Sequence, residues 1–286
     1  MATTQAKANP KKSSGFQGVK NAFFIILVCF VLAVLFFKYI LGAPEHFVNG
    51  DPTQPVKDGN LMGTVYKGGV VVPVIITLLF SVIALSIERF FALRTAFGKS
   101  SLGKFVVSVK KAITAGDMAK AQELCDKQQG SVANVVGASI AAYKEMEATT
   151  NLKRAAKVSK IQQAHEEATQ LEMPTLQMNM PIIATIVTLG TLTALFGTVV
   201  GMIRSFAALA SGGGGDSLQL SEGISEALVN TASGILTSWV AVVSYNYYSN
   251  KIDKLTYALD EVGYTIAKTY EANHADEAAS YVLAIV

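Results

Sequence analysis

Two apolar runs, Met180 to Ile203 and Ala227 to Asn250, carry most of the polar chemistry that this sequence sets in apolar surroundings. In the later run, Thr231, Gly234, Ser238, Ala241 and Tyr245 recur at spacings of three and four. Beside them runs a second stripe of Glu226, Asn230, Ser233, Thr237 and Ser244. In the earlier run, Thr188, Thr191 and Thr198 share a helical face with Gly190, Gly197 and Gly201 close by, and Gly197 and Gly201 form a Gly-x-x-x-Gly pair. Such residues allow helix backbones to approach closely, while Ser and Thr hydroxyls bond their own preceding turn or hold water. Gly197, Gly201, Gly234 and Ser238 therefore read as helix-packing positions, and Thr188, Thr191 and Thr231 as candidates for a hydrated ion path. The two readings are compatible, since one face packs while its neighbour meets water. A path for protons needs a group that gains and loses them, usually Asp or Glu. Neither run has one near its middle. Either the chain transports nothing, or a partner helix brings the carboxylate. Arg204 and Glu226 are the charges within reach of one end of these runs; they either pair or face headgroups independently.

Other chemistry is sparse. His46, His165 and His274 are scattered, without Cys, His or carboxylate neighbours at ligand spacing, so no metal site is expected. His165-Glu166-Glu167 reads as a solvated helix face. The Gly212 to Gly215 run is not followed by the Gly-Lys-Ser/Thr of a phosphate loop. No nucleophile elbow, zincin motif or dinucleotide fingerprint is present, so neither an enzyme nor a cofactor is expected. Cys29 lies in an apolar run and Cys125 in a polar one, which argues against a bridge.

The elements that must position these residues follow from composition. About half of the 286 residues are apolar and 16% are charged, fewer than a soluble domain of this size usually carries. Four stretches reach the roughly 20 residues of a membrane span: Asn21 to Leu41, Gly69 to Ile87, Met180 to Ile203 and Ala227 to Asn250. Lys and Arg crowd the N-terminal tail, the segment from Glu88 to Gln177 and the C-terminal tail, and they thin out in the two intervening loops. By the positive-inside rule both termini are cytoplasmic. The net charge of +3 is thus a topology signal, and no clustered basic and aromatic pattern argues for nucleic acid.

The expected organisation is a disordered basic tail (1–20), a first transmembrane helix (21–42), a periplasmic loop (43–68) and a second transmembrane helix (69–90). A cytoplasmic helical segment (91–177), a third transmembrane helix (178–210), a Gly-rich periplasmic loop (211–222), a fourth transmembrane helix (223–250) and a cytoplasmic C-terminal helix (251–286) complete it. The loop after the first span reads as irregular from its Pro and Gly. Gly98 and Gly103 are expected to mark a break, Asp117 to cap a helix from Met118, and Pro174 to kink or restart the chain before the third span. Leu152, Ala155, Val158, Ile161, Ala164, Ala168 and Leu171 are expected on one buried stripe.

Two ordered blocks then carry a family resemblance. Leu195-Phe196-Gly197-Thr198-Val199-Val200-Gly201-Met202-Ile203, and Gly223-Ile224-Ser225-Glu226-Ala227-Leu228-Val229-Asn230-Thr231-Ala232-Ser233-Gly234 with the later Tyr245-Asn246, resemble the ExbB/TolQ/MotA proton-channel family, and ExbB and TolQ most. The resemblance runs from about the second span to the C-terminus. It implies an all-α membrane protein of four transmembrane helices and a cytoplasmic helical bundle, oligomeric around a central pore. It further implies a homopentamer in the bacterial inner membrane, built around a single-span ExbD-like partner whose membrane Asp takes up and releases protons. The output would be the energising of a TonB-like protein and outer-membrane uptake. A TolQ- or MotA-like output and a non-conducting scaffold are the alternatives. Thr231 falls on the family's Thr in the last span, Glu226 on its Glu, and Thr188 where Thr or Ser is frequent. Arg204 and Glu226 would shape the outer mouth. Thr191 and Val240 stand where the family commonly has Pro, Ala194 stands where it has Gly, and the first span is additional to the usual three of ExbB and TolQ.

Overall fold

A computed structural model describes residues 22–211 and 217–275. The tail 1–20, the run Gly212 to Gly215 and the end of 251–286 lie outside the described residues. Within them the protein is predominantly helical: α1 (Ala22–Leu35), α2 (Leu61–Tyr66), α3 (Val72–Phe97), α4 (Leu102–Thr114), α5 (Met118–Gln128), α6 (Gly130–Ala148), α7 (Arg154–Gln177), α8 (Met180–Ser211) and α9 (Ser217–Asn273). The chain divides into two compact units. One comprises Val19–Arg89 with Asn179–Tyr248, the other Phe90–Met178 with the chain from Ser249 onward.

The first unit holds the apolar helices. Among the described residues, four helical stretches are long and apolar enough to cross a membrane. In α1 only Ala22, Cys29 and Ala33 are buried, while Phe23, Phe24, Leu27 and Phe30 point outward. That pattern suits a helix whose small face packs and whose bulky face meets lipid. A π-helical turn, Phe36–Leu41, extends α1. Ala33 and Leu41 pack with Val72 and Ile76, ringed by Phe36, Phe37, Tyr66, Phe80 and Val229.

The connection from Gly42 to Gly68 is folded rather than irregular. Phe47 bridges to Val56. The Asn60 side chain caps α2 by accepting from the Gly63 amide at 3.0 Å. The buried His46 ring links both ends of the loop, 3.0 Å from the Ile40 carbonyl and 2.9 Å from the Asn60 amide. Phe37 stacks on Tyr66 at 4.7 Å. The Pro and Gly pattern marks turns, but it does not reveal that one His and three aromatic rings gather them.

The second unit is a bundle. One face of α4, with Phe105, Val106, Val109, Ala112 and Ile113, is buried. Asp117 caps α5 by accepting from the Lys120 amide at 2.9 Å. Gln128 clasps the end of α3, its amide donating to the carbonyls of Phe97 at 2.7 Å and Ser100 at 3.0 Å. Gly98 and Gly130 both adopt left-handed backbone there, each pressed against the other segment's carbonyls, where a side chain would be strained and crowded. Leu255, Leu259, Val262 and Ile266 of α9 are buried, and Tyr143 meets Tyr270 edge-on at 4.9 Å.

Four expectations need correction. Gly98 does end α3, but Gly103 lies inside the first turn of α4. Pro174 stays within α7, and the chain restarts at Asn179, whose φ of 63° breaks the helix and whose carbonyl begins the α8 ladder to Ile183. Asn tolerates this conformation better than most residues, so the restart falls there. The buried face of α7 comprises Lys157, Ile161, His165 and Leu176, while Leu152, Ala155 and Leu171 are exposed. A stripe drawn in steps of three lags the helix by about 60° per step and winds off the buried face. His165, read as solvated with its two Glu neighbours, is buried at 8% exposure.

Candidate functional site

The site is built on the crossing of α8 and α9, and glycine decides how close the two helices come. A methyl group at Gly234 would collide with the Cβ of Ala194 and lie 2.6 Å from the Gly190 carbonyl. At Gly201 it would lie 2.8 Å from the Gly223 carbonyl, and at Gly197 it would lie 2.7 Å from the Asn230 Cβ. Gly190 in turn faces Ser238. The two backbones therefore touch along much of both helices, as small residues permit. Gly223 and Gly190 belong to this seam as much as Gly197, Gly201 and Gly234.

Hydroxyls lie along the seam. Thr198 and Thr231 meet with 2.5 Å between their oxygens. Each also lies within reach of its own preceding turn, Thr198 at 3.0 Å from the Ala194 carbonyl and Thr231 at 3.1 Å from that of Ala227. A hydroxyl has one proton. Either Thr198 donates across the seam and Thr231 donates to its carbonyl, or the reverse. About two turns away, Thr191 and Ser238 meet at 3.0 Å. Thr188 is exposed, and its hydroxyl has no hydrogen-bond partner among the described residues. The partner of Thr231 is thus Thr198, which shares a face with Thr188 and Thr191 in sequence but is about two to three turns nearer the Arg204 end. Which Thr of a shared face meets Thr231 depends on the axial register of two helices, and one helix's periodicity does not contain it.

At one end of the seam Nη1 of Arg204 donates to both carboxylate oxygens of Glu226 at 2.7 Å. The burden of burial falls on the acid: Glu226 keeps 8% of its side chain exposed and Arg204 52%. Gly69 supplies the space, since its left-handed backbone lies directly against the Glu226 carboxylate. Next to it the fully buried Asn230 donates to the Gly68 carbonyl at 3.0 Å, and its own carbonyl oxygen is buried without a partner. Asn230 thereby ties α9 to the chain entering α3, one position before Thr231 and one turn after Glu226. Lys67 and Glu222 add a longer ion pair of 3.6 Å. In sequence Asn230 is one member of a polar stripe, and its neighbours Glu226 and Thr231 are the signal that singles it out.

The opposite end of the unit holds a second buried pair. Arg89 donates to Glu88 through Nε at 2.6 Å and Nη2 at 2.5 Å, and Asn179 donates to the same carboxylate at 3.2 Å. Between the two ends the seam offers hydroxyls and amides, which bind water and orient protons but carry no net charge. Among the described residues no cluster of His, Cys, Asp and Glu is arranged to hold a metal.

Apolar helices in this number, a glycine seam lined with hydroxyls and charge confined to its ends define an all-α, multi-pass membrane protein. The sequence of residues 135–261, which contains the whole seam, matches the model of the MotA/TolQ/ExbB proton channel family. Its members are of the proton channel and motor stator type. Among curated proteins, the chain is 34% identical over 87 residues to the putative biopolymer transport protein ExbB-like 3 of Synechocystis sp., a match covering 30% of this chain and 41% of that one. It is 32% identical over 114 residues to the Tol-Pal system protein TolQ of Pseudomonas aeruginosa, covering 39% and 47%. It is 36% identical over 85 residues to TolQ of Haemophilus influenzae, covering 29% and 37%. The chain thus spans less than half the length of these relatives.

Proposed function

We propose that this protein is an ExbB-like stator subunit of a motor driven by the proton-motive force in a bacterial inner membrane, with both termini and the helical bundle on the cytoplasmic side. Five copies would surround the single-span helices of an ExbD-like partner, and the partner's membrane Asp would carry the proton past the seam. Thr231 with Thr198, and further along Thr191 and Thr188, would line that path, while Arg204 and Glu226 would shape its periplasmic mouth. The output would be the energising of a TonB-like protein for outer-membrane uptake. One observation carries the reading: the Thr198–Thr231 contact sits in a seam that has hydroxyls but no titrating acid of its own between its charged ends.

The test is co-expression with the co-encoded single-span neighbour. Thr231→Val is expected to leave the complex assembled, counted by native mass, while energised uptake falls at least tenfold. Undiminished uptake in an assembled complex would reject the path and leave the scaffold. The TolQ matches favour a second reading, a Tol-type output. Deleting the gene separates the two: loss of TonB-dependent uptake supports the first, and leakage of the outer membrane with intact uptake supports the second.

A further inference from the structure

We propose that His165 is a pH-sensitive latch of the helical bundle: an imidazole held neutral where α6, α7 and α9 cross, whose protonation expels the ring and loosens that crossing.

The geometry begins with Ser139 on α6. Its hydroxyl lies 2.9 Å from the Val135 carbonyl and 2.9 Å from Nδ1 of His165. The hydroxyl has one proton and the carbonyl can only accept, so the serine donates to Val135 and accepts from His165. That assigns the imidazole proton to Nδ1. Nε2 then carries a lone pair, and it is buried without a partner. The ring fits only because position 263 of α9 is glycine, where a methyl group would collide with Nε2 and lie 2.5 Å from Cδ2. A neutral ring satisfies this site with one hydrogen bond. A charged ring would bury a second N–H, and the cation with it, against a backbone that offers no acceptor.

Charged groups act on the ring from two of the three helices. Glu166, its neighbour on α7, and Asp260, one turn before Gly263 on α9, both favour the charged form. From α6 the ring meets the Ser139 hydroxyl, and the next turn of that helix carries the buried Tyr143. Burial outweighs the carboxylates and holds the imidazole below its usual range. The direction of the linkage follows. The unfolded chain binds the proton more readily, so the bundle keeps its full stability above about pH 6.5 and loses it as the pH falls towards the folded value. Glu166 and Asp260 are both exposed. They give a protonated ring somewhere to go: outward, away from Ser139, leaving a gap over Gly263. In the proton-driven reading above, such a latch would respond to the compartment that receives the protons, but it stands without that reading.

The chain has three histidines, which makes the test direct. In full-length protein in nanodiscs with His46→Gln and His274→Gln, His165 is the one imidazole left to follow by magnetic resonance. Its midpoint is expected below about 6.5. Amide exchange, corrected for its intrinsic pH dependence, is expected to quicken about tenfold over 135–143, 161–169 and 259–266 between roughly pH 7.5 and pH 5.5. His165→Gln is expected to remove that step. Asp260→Asn, a surface change, is expected to move the midpoint lower and serves if His165→Gln does not fold. A midpoint at or above about 6.5, exchange that ignores pH, or an unchanged step in His165→Gln overturns the latch.

Discussion

At the scale of single residues, the Arg204–Glu226 contact differs from an ordinary surface ion pair because only one partner is exposed. Removing the arginine leaves a buried carboxylate without its donor, whereas removing both leaves a smaller polar deficit. Arg204→Ala is expected to destabilise the protein by about 1–3 kcal/mol, and the double-mutant cycle with Glu226→Gln to show coupling of about 1 kcal/mol or more. Thermal unfolding in detergent measures both, and coupling near zero would mean that the two side chains act independently. The identity of this pair is legible in sequence, because two charges flank an otherwise uncharged pair of spans. The roles of Gly69 and Asn230 are not, since both depend on a segment more than 150 residues away in the chain.

At the scale of the helix, the α8–α9 seam should be intolerant of even one carbon. Gly234→Ala places a methyl group against Ala194 and the Gly190 carbonyl, and is expected to cost about 1–3 kcal/mol or to splay the helices. Gly103→Ala is the matched control. It lies in α4 with nothing within 4 Å of the added carbon, and it is expected to stabilise by about 0.5–1 kcal/mol through helix propensity. Unfolding curves that rank the two the other way would remove close packing as the purpose of the seam. The long apolar helices can be read from hydropathy because lipid imposes one requirement on every turn. The α7–α8 break is harder to read. Pro174 carries the stronger helix-breaking signal, yet it sits on an exposed part of α7, and the chain turns at Asn179 instead. His165 was hidden for a related reason: two glutamates beside it set the local polarity, while α6 and α9 set its burial.

At the scale of the whole molecule, each unit carries one buried cysteine, Cys29 with the apolar helices and Cys125 in the bundle. Burial pushes the Cys125 thiol up to about 12, with Asp126 adding to the effect. The thiolate is the reactive form, so a maleimide near neutral pH should modify Cys125 at least about a thousandfold more slowly than an exposed thiol. In a Cys29→Ser protein, labelling is expected to begin only when the bundle opens. Rapid labelling of the native protein would show that α5 is not packed as described. The same protein offers an independent check on acid loosening, provided rates are corrected for thiolate content.

The paired hydroxyls of Thr198 and Thr231 have a consequence of their own. Turning both O–H bonds together reverses a short line of dipoles between the carbonyls of Ala194 and Ala227 without moving a heavy atom. On the proposed ion path, a charge passing on either side would meet a medium that reorients to suit it, which would lower the electrostatic cost of passage. Valine at either position freezes that response. Thr198→Val should therefore damage energised uptake about as much as Thr231→Val, and a marked difference between the two would show that only one hydroxyl matters.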